Sequence, residues 1–141
     1  TLSWLARFLE RRRSDDLRAM HYHLRAARAE PERAARWAAV VRFLLARGLI
    51  GELQPSLRRW IERAKADDEQ APLAEACFYG VVYLPEPERA ACFDRLKALV
   101  AGEAPMGSWD PAPHVEHVKK ERRSDAPWIE RMAKVIRERH G

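Results

Sequence analysis

Apolar side chains recur along this chain at intervals of three and four residues, the spacing of one helix face, and almost nowhere at the alternation of a strand. Trp4, Leu5, Phe8 and Leu9 mark a first helix over 3–12. Ser14 or Asp15 then reads as the cap of a second helix over 16–29, with Leu17, Met20, Leu24 and Ala27 inward. Pro31 suits the first turn of a third helix, which buries Trp37, Val40, Val41, Leu44 and Leu45 and stops at Gly48. A fourth, over 53–66, carries Leu53, Leu57, Trp60, Ile61 and Ala64 on one face, with Pro55 in its first turn. The fifth, from Pro72 to Leu84, is apolar nearly all round and so belongs at the centre. A buried strand over 76–84 is the competing reading of that run. Pro87 opens a sixth helix that turns Phe93, Leu96, Leu99 and Val100 inward.

After Gly102 the texture changes. Two further glycine or proline positions fall before Pro111 and Pro113, which reads as a loop over 102–113, followed by a polar helix over 114–122. Asp125 then caps a last helix whose stripe is Trp128, Ile129, Met132, Val135 and Ile136. The expected organisation is one domain: a helical array over 1–101, a proline- and glycine-containing loop and polar segment over 102–124, and a docking helix over 125–141. The fold class is all-α, an antiparallel helical array or α-solenoid-like stack of about seven to eight helices.

Glu30-Pro31-Glu32-Arg33-Ala34-Ala35 recurs as Glu86-Pro87-Glu88-Arg89-Ala90-Ala91. The copies fall three helices apart, so strict up-down alternation would point them in opposite directions. A shared helix-start device explains that better than a repeat unit. Around the second copy, Tyr79-Gly80-x-x-Tyr83 followed by Cys92 and Leu96 resembles the tetratricopeptide repeat. The match departs from that family at Ala76 and Pro105, and residues 17–45 match more weakly, with Leu24 at the glycine position. The resemblance implies small residues where paired helices approach closely, and protein–protein binding as the function.

Composition supports helix: arginine and alanine dominate and both are strong helix formers. The net charge is +5, with 33% charged and 47% hydrophobic residues, a globular balance. Acids sit beside bases along most of the chain, whereas nucleic-acid binders usually gather basic residues on one face. Two basic clusters remain as candidate phosphate contacts, Arg11-Arg12-Arg13 and Lys119-Lys120-Glu121-Arg122-Arg123. Trp109, in the proline-rich loop, either pins that loop to the body or offers an exposed partner contact. Cys77 and Cys92 read as small buried hydrophobes in a reducing, cytoplasmic setting, with a bridge between them left open. The basic triplet follows the first apolar stretch instead of preceding it, so no signal peptide is expected.

Catalytic and metal-binding motifs are missing from the pattern. His114-x-x-His117 lacks the i, i+4 spacing and intervening glutamate of a zinc protease helix and reads as a solvated face. His21 and His23 are two apart and cannot share a helix face. Gly107-Ser108 lacks the strand–turn–helix context of a nucleophile elbow. The expectation is a non-enzymatic interaction or scaffold domain with no metal or cofactor and a protein or peptide partner. Nucleic acid bound through the clusters at 11–13 and 119–123 ranks second. A second copy of the chain is a further candidate partner, and a membrane surface is not expected. Melting curves recorded with and without a strong chelator are expected to coincide; a large drop with chelator would show a structural metal.

Overall fold

The computed structural model describes residues 2–102 and 105–139. Seven α-helices are present among them: α1 (Leu2–Ala29), α2 (Ala34–Ala46), α3 (Leu53–Asp67), α4 (Gln70–Tyr83), α5 (Glu88–Ala101), α6 (Ala112–Glu121) and α7 (Ala126–Glu138). A 3₁₀ turn, Ile50–Glu52, leads into α3, and there is no strand among the described residues. The run at 76–84, open to a strand reading, is thus helix to Tyr83. Three antiparallel hairpins organise the chain: α1 on α2, α4 on α5 and α6 on α7, with α6 also packed on α4. Their connections, 30–33, 84–87 and 122–125, are four residues each. The chain forms two compact units, one ending at Trp60 and the other beginning at Ile61, so the boundary falls inside α3.

In the first unit α1 departs from the sequence reading. It is one helix of 28 residues, where Ser14 or Asp15 was expected to end one helix and cap another. Serine and aspartate cost only tenths of a kcal/mol in a helix interior, and without glycine or proline nothing breaks the backbone. The uninterrupted helix also moves the inward stripe. Leu17, expected inside, is exposed, whereas Ala27 is buried and Met20, His23 and Leu24 are half-buried. Asp16 sits with them and pairs with Arg47 across the hairpin at 3.0 Å, and the His23 and Phe43 rings meet at 5.0 Å. Pro31 lies in the connecting turn, ahead of the first turn of α2, and its carbonyl accepts from Trp37 Nε1 at 2.9 Å.

The end of α2 follows from Gly48. At φ +70° it takes the left-handed conformation that glycine adopts without penalty. Its N–H donates to the Leu45 carbonyl (3.2 Å) and that of Leu49 to the Leu44 carbonyl (2.9 Å). These are the two bonds of a Schellman cap, which satisfy carbonyls the helix would otherwise leave open.

The second unit is built round α4. Every residue from Leu73 to Val82 is buried, including Glu75. Gly80 lets α5 approach: a Cβ there would overlap Cys92 Sγ and lie 3.1 Å from Cys92 Cβ and 3.3 Å from Ile61 Cδ1. Cys77, one turn earlier on the same face, and Cys92 are both free, buried thiols. The hydrogen bond to Cys92, then burial, hold the Cys77 thiol well above its ordinary pKa. Across the α6–α7 hairpin, Ile129, Ala133 and Ile136 are buried, and Trp128 of α7 stacks on Phe93 of α5 with ring centroids 3.9 Å apart. The C-terminal helix thus docks within its own unit. The loop beneath it is laced down by Met106, whose N–H donates to the Arg139 carbonyl at 3.2 Å, and by Arg139, which donates to the Gly102 carbonyl.

Substituting Gly80→Ala is expected to destabilise the protein by about 1–3 kcal/mol, the usual range for overpacking. The double variant Gly80→Ala/Cys92→Ala should recover much of that loss, because removing Sγ opens the space and alanine is the better helix former. Urea denaturation of the two single variants and the double variant measures the coupling. Strict additivity would show that the Gly80–Cys92 approach is not tight.

Candidate functional site

Two places in the second unit gather side chains with chemistry. The first lies where α4 meets α6 and the proline-rich loop. A helix buried on all sides must satisfy any polar group it carries, and α4 does so within this cluster. Glu75 Oε2 accepts from the Tyr79 hydroxyl at 2.8 Å, one turn along. Tyr83 presents its hydroxyl to His114 Nδ1 of α6 at 2.6 Å. Trp109 donates its Nε1 hydrogen to the Met106 carbonyl at 2.8 Å and sets its ring against Phe78 and Tyr79, with centroids 5.3 and 5.6 Å away. His114 meets Tyr79 edge-on at 4.7 Å. Burial is the main cause that pushes the His114 imidazole down to about 4, and burial likewise raises the Tyr83 phenol to about 12. Both groups are therefore neutral at pH 7. A neutral imidazole facing a tyrosine hydroxyl inside an aromatic shell makes a strong internal joint.

The second place is a groove between the start of α5 and the start of α7. Phe93, Trp128, Val81 and Ile129 line it together with the charged side chains of Arg89, Asp94 and Asp125; its volume is about 300 Å³. Lys97 Nζ lies 4.4 Å from the Phe93 ring centroid. Arg122 holds the groove wall in place. One of its nitrogens donates to the carbonyls of Val81 and Val82, both at 2.8 Å, and another pairs with Asp125 at 3.2 Å. Those carbonyls belong to the last turn of α4, where the helix itself leaves carbonyls open, so the guanidinium caps that helix.

The residues singled out from sequence fall in varied settings. Trp109 is half-buried, and its indole nitrogen bonds the loop it belongs to. His114, read as solvated, is buried, because α6 turns it toward α4; His117 is half-buried, with its ring 5.0 Å from Tyr83. Of the second basic cluster, Lys119 pairs with Glu116 (3.3 Å) and Glu130 (2.9 Å), and Arg122 is the helix cap just described. Lys120 and Arg123 are exposed. Arg11, Arg12 and Arg13 are exposed on α1, but consecutive helical residues fan out by about 100° each, so they face three directions. The groove residues Phe93, Arg89 and Trp128 were legible only as core positions and helix-start charges. Among the described residues no group of three or more His, Cys, Asp or Glu side chains is arranged to hold a metal ion. No described helix is long and apolar enough to cross a membrane.

Comparison with protein-family models, with curated proteins and with solved structures found no match.

His114 gives the fold a pH dependence. Its pKa is lower folded than unfolded, so the stability it contributes is fully present above about 6.5 and is lost as pH falls toward about 4. Denaturation midpoints are expected to drop across that window in the native chain and to drop less in His114→Gln. An unchanged pH profile in the variant would show that His114 does not couple folding to protonation.

Proposed function

We propose that this chain is a non-enzymatic helical interaction module that grips a protein or peptide partner. The observation that carries this reading is the groove between α5 and α7. It places a stacked aromatic pair, Phe93 and Trp128, in the lining of a concave surface beside charges of both signs. Interfaces concentrate their energy in such places: an aromatic anchor with a desolvated centre and a polar rim. At about 300 Å³ the groove stands at the lower end of small-molecule pockets and matches a single bulky anchor side chain. Arg89 suits an acidic neighbour of that anchor, and Asp94 and Asp125 suit a basic one.

The resemblance of Tyr79-Gly80-x-x-Tyr83, Cys92 and Leu96 to the tetratricopeptide pattern points the same way, since that family binds proteins. So does the hydrogen-bonding of the Glu75–Tyr79 and Tyr83–His114 pairs, which occupies those groups with one another. A reading as a reducing, cytoplasmic protein fits the two free, buried cysteines.

Peptides selected by display against the folded chain test this. They are expected to carry an aromatic or bulky aliphatic anchor and to perturb the amide resonances of Phe93, Asp94 and Trp128. Trp128→Ala should weaken their binding about thirtyfold or more, the scale of a hot-spot residue. Asp94→Lys, at an exposed position, should leave folding intact and change preference for the charge beside the anchor. Selected peptides that bind with no dependence on either residue would refute the groove as the partner site.

A further inference from the structure

The continuity of α1 creates a surface that two shorter helices would not have. On one unbroken helix, Trp4, Arg7, Arg11, Arg18, Tyr22 and Arg25 fall in a band roughly 60° wide, at about 100° per residue. All six side chains are exposed, Trp4 by 67% and Tyr22 by 73%. Arg7 to Arg25 spans about 27 Å at ~1.5 Å per residue. The band lies opposite the side where Asp16, His23 and Ala27 engage α2. Asp15, also exposed, stands at its edge. A shallow cleft of about 500 Å³ opens along the same surface, walled by Arg18, His21, Tyr22, Arg25 and Arg28. Among the described residues, no ion pair engages Arg7, Arg11, Arg18 or Arg25, whereas Arg33 and Arg47 are paired with carboxylates.

We propose that this face of α1 binds single-stranded nucleic acid. Four guanidinium groups in a line supply phosphate contacts and their counterion release. Every basic residue of α1 is arginine, none lysine, and guanidinium both forks onto phosphate oxygens and stacks on bases. Tyr22 adds an exposed aromatic face among the arginines, the combination of charge and stacking platform that single strands use. A membrane-surface helix needs a free apolar face; from Asp16 to Ala27 the less polar side of α1 is turned to α2, and the outward face carries arginine. This surface is distinct from the α5–α7 groove and stands whether or not that groove binds a peptide.

The test is fluorescence anisotropy of the full chain with a labelled single-stranded oligonucleotide about 20 nucleotides long, long enough for one such site. Binding is expected to weaken with salt at a log–log slope of about −3, for four phosphate contacts on a single strand. The triple variant Arg11→Glu/Arg18→Glu/Arg25→Glu should abolish binding while its circular dichroism and melting stay those of the parent, since all three side chains are exposed. Tyr22→Ala should weaken binding about tenfold with little change in the salt slope, the mark of a lost stacking contact. The control Lys120→Glu/Arg123→Glu should bind like the parent. Binding that survives the triple variant, or is lost instead in the control, overturns the assignment. So does binding to phosphatidylserine vesicles with none to the oligonucleotide. Equal affinity for heparin with no effect of Tyr22→Ala would mark an unspecialised polyanion surface and overturn it as well.

Discussion

The burial of α4 on every side is the constraint from which the second unit follows. A helix with no polar face cannot lie at a surface, so it requires cover from several directions at once. Each large apolar side chain it buries contributes roughly 1.5–3 kcal/mol, and the covering elements are set by that demand. On one side Gly80 and Cys92 let α5 come within close packing distance. On another, α6 and the loop bring His114 and Trp109 against Phe78 and Tyr79. At its end Arg122 closes the last carbonyls. Polar groups that enter this environment bond to one another, as Glu75 with Tyr79 and Tyr83 with His114, or to backbone carbonyls, as Trp109 and Arg122 do.

The same demand explains how the polar and proline-rich segment from Pro105 onward is held. It carries little hydrophobic surface of its own. Its order comes from Met106, fully buried, from the Trp109 indole bonded back to Met106, and from contact with the tail at Arg139. That segment also meets the end of α7 at Arg139, and α7 sets Trp128 on Phe93. The groove between α5 and α7 is therefore a by-product of covering α4: Val81 and Ile129 in its lining are core, and Arg89 and Asp125 come from the starts of α5 and α7. The α1 face has a separate origin. It depends on a helix that runs through a polar stretch without a break, so that residues seven apart line up.

The helices themselves were legible from the three- and four-residue apolar spacing, and Gly48 announced the end of α2 because a Schellman cap needs a residue that tolerates positive φ. The resemblance carried by Tyr79-Gly80-x-x-Tyr83 and Cys92 implied small residues where helices approach closely, and in the fold a Cβ at Gly80 would overlap the Cys92 sulfur. Ser14 and Asp15 misled because both are good caps and neutral interior residues. Local sequence says a helix can start there and cannot say that one does. Hence the inward stripe was placed on Leu17, which is exposed, and the alignment of Arg11, Arg18 and Arg25 went unseen.

Composition and periodicity by themselves determined that the chain is helical, how many helices it forms to within one, and that α4 is central, because these depend on propensity and on which side chains avoid water. Tertiary structure decided what each polar side chain does. His114 reads as a surface histidine beside prolines until α6 docks on α4 and takes it out of water. Arg122 reads as one of a basic run until the end of α4 arrives with open carbonyls. Phe93 and Trp128, 35 positions apart in the chain, become one aromatic pair only when α7 returns to α5. Such roles rest on contacts between residues distant in sequence, which local patterning does not encode.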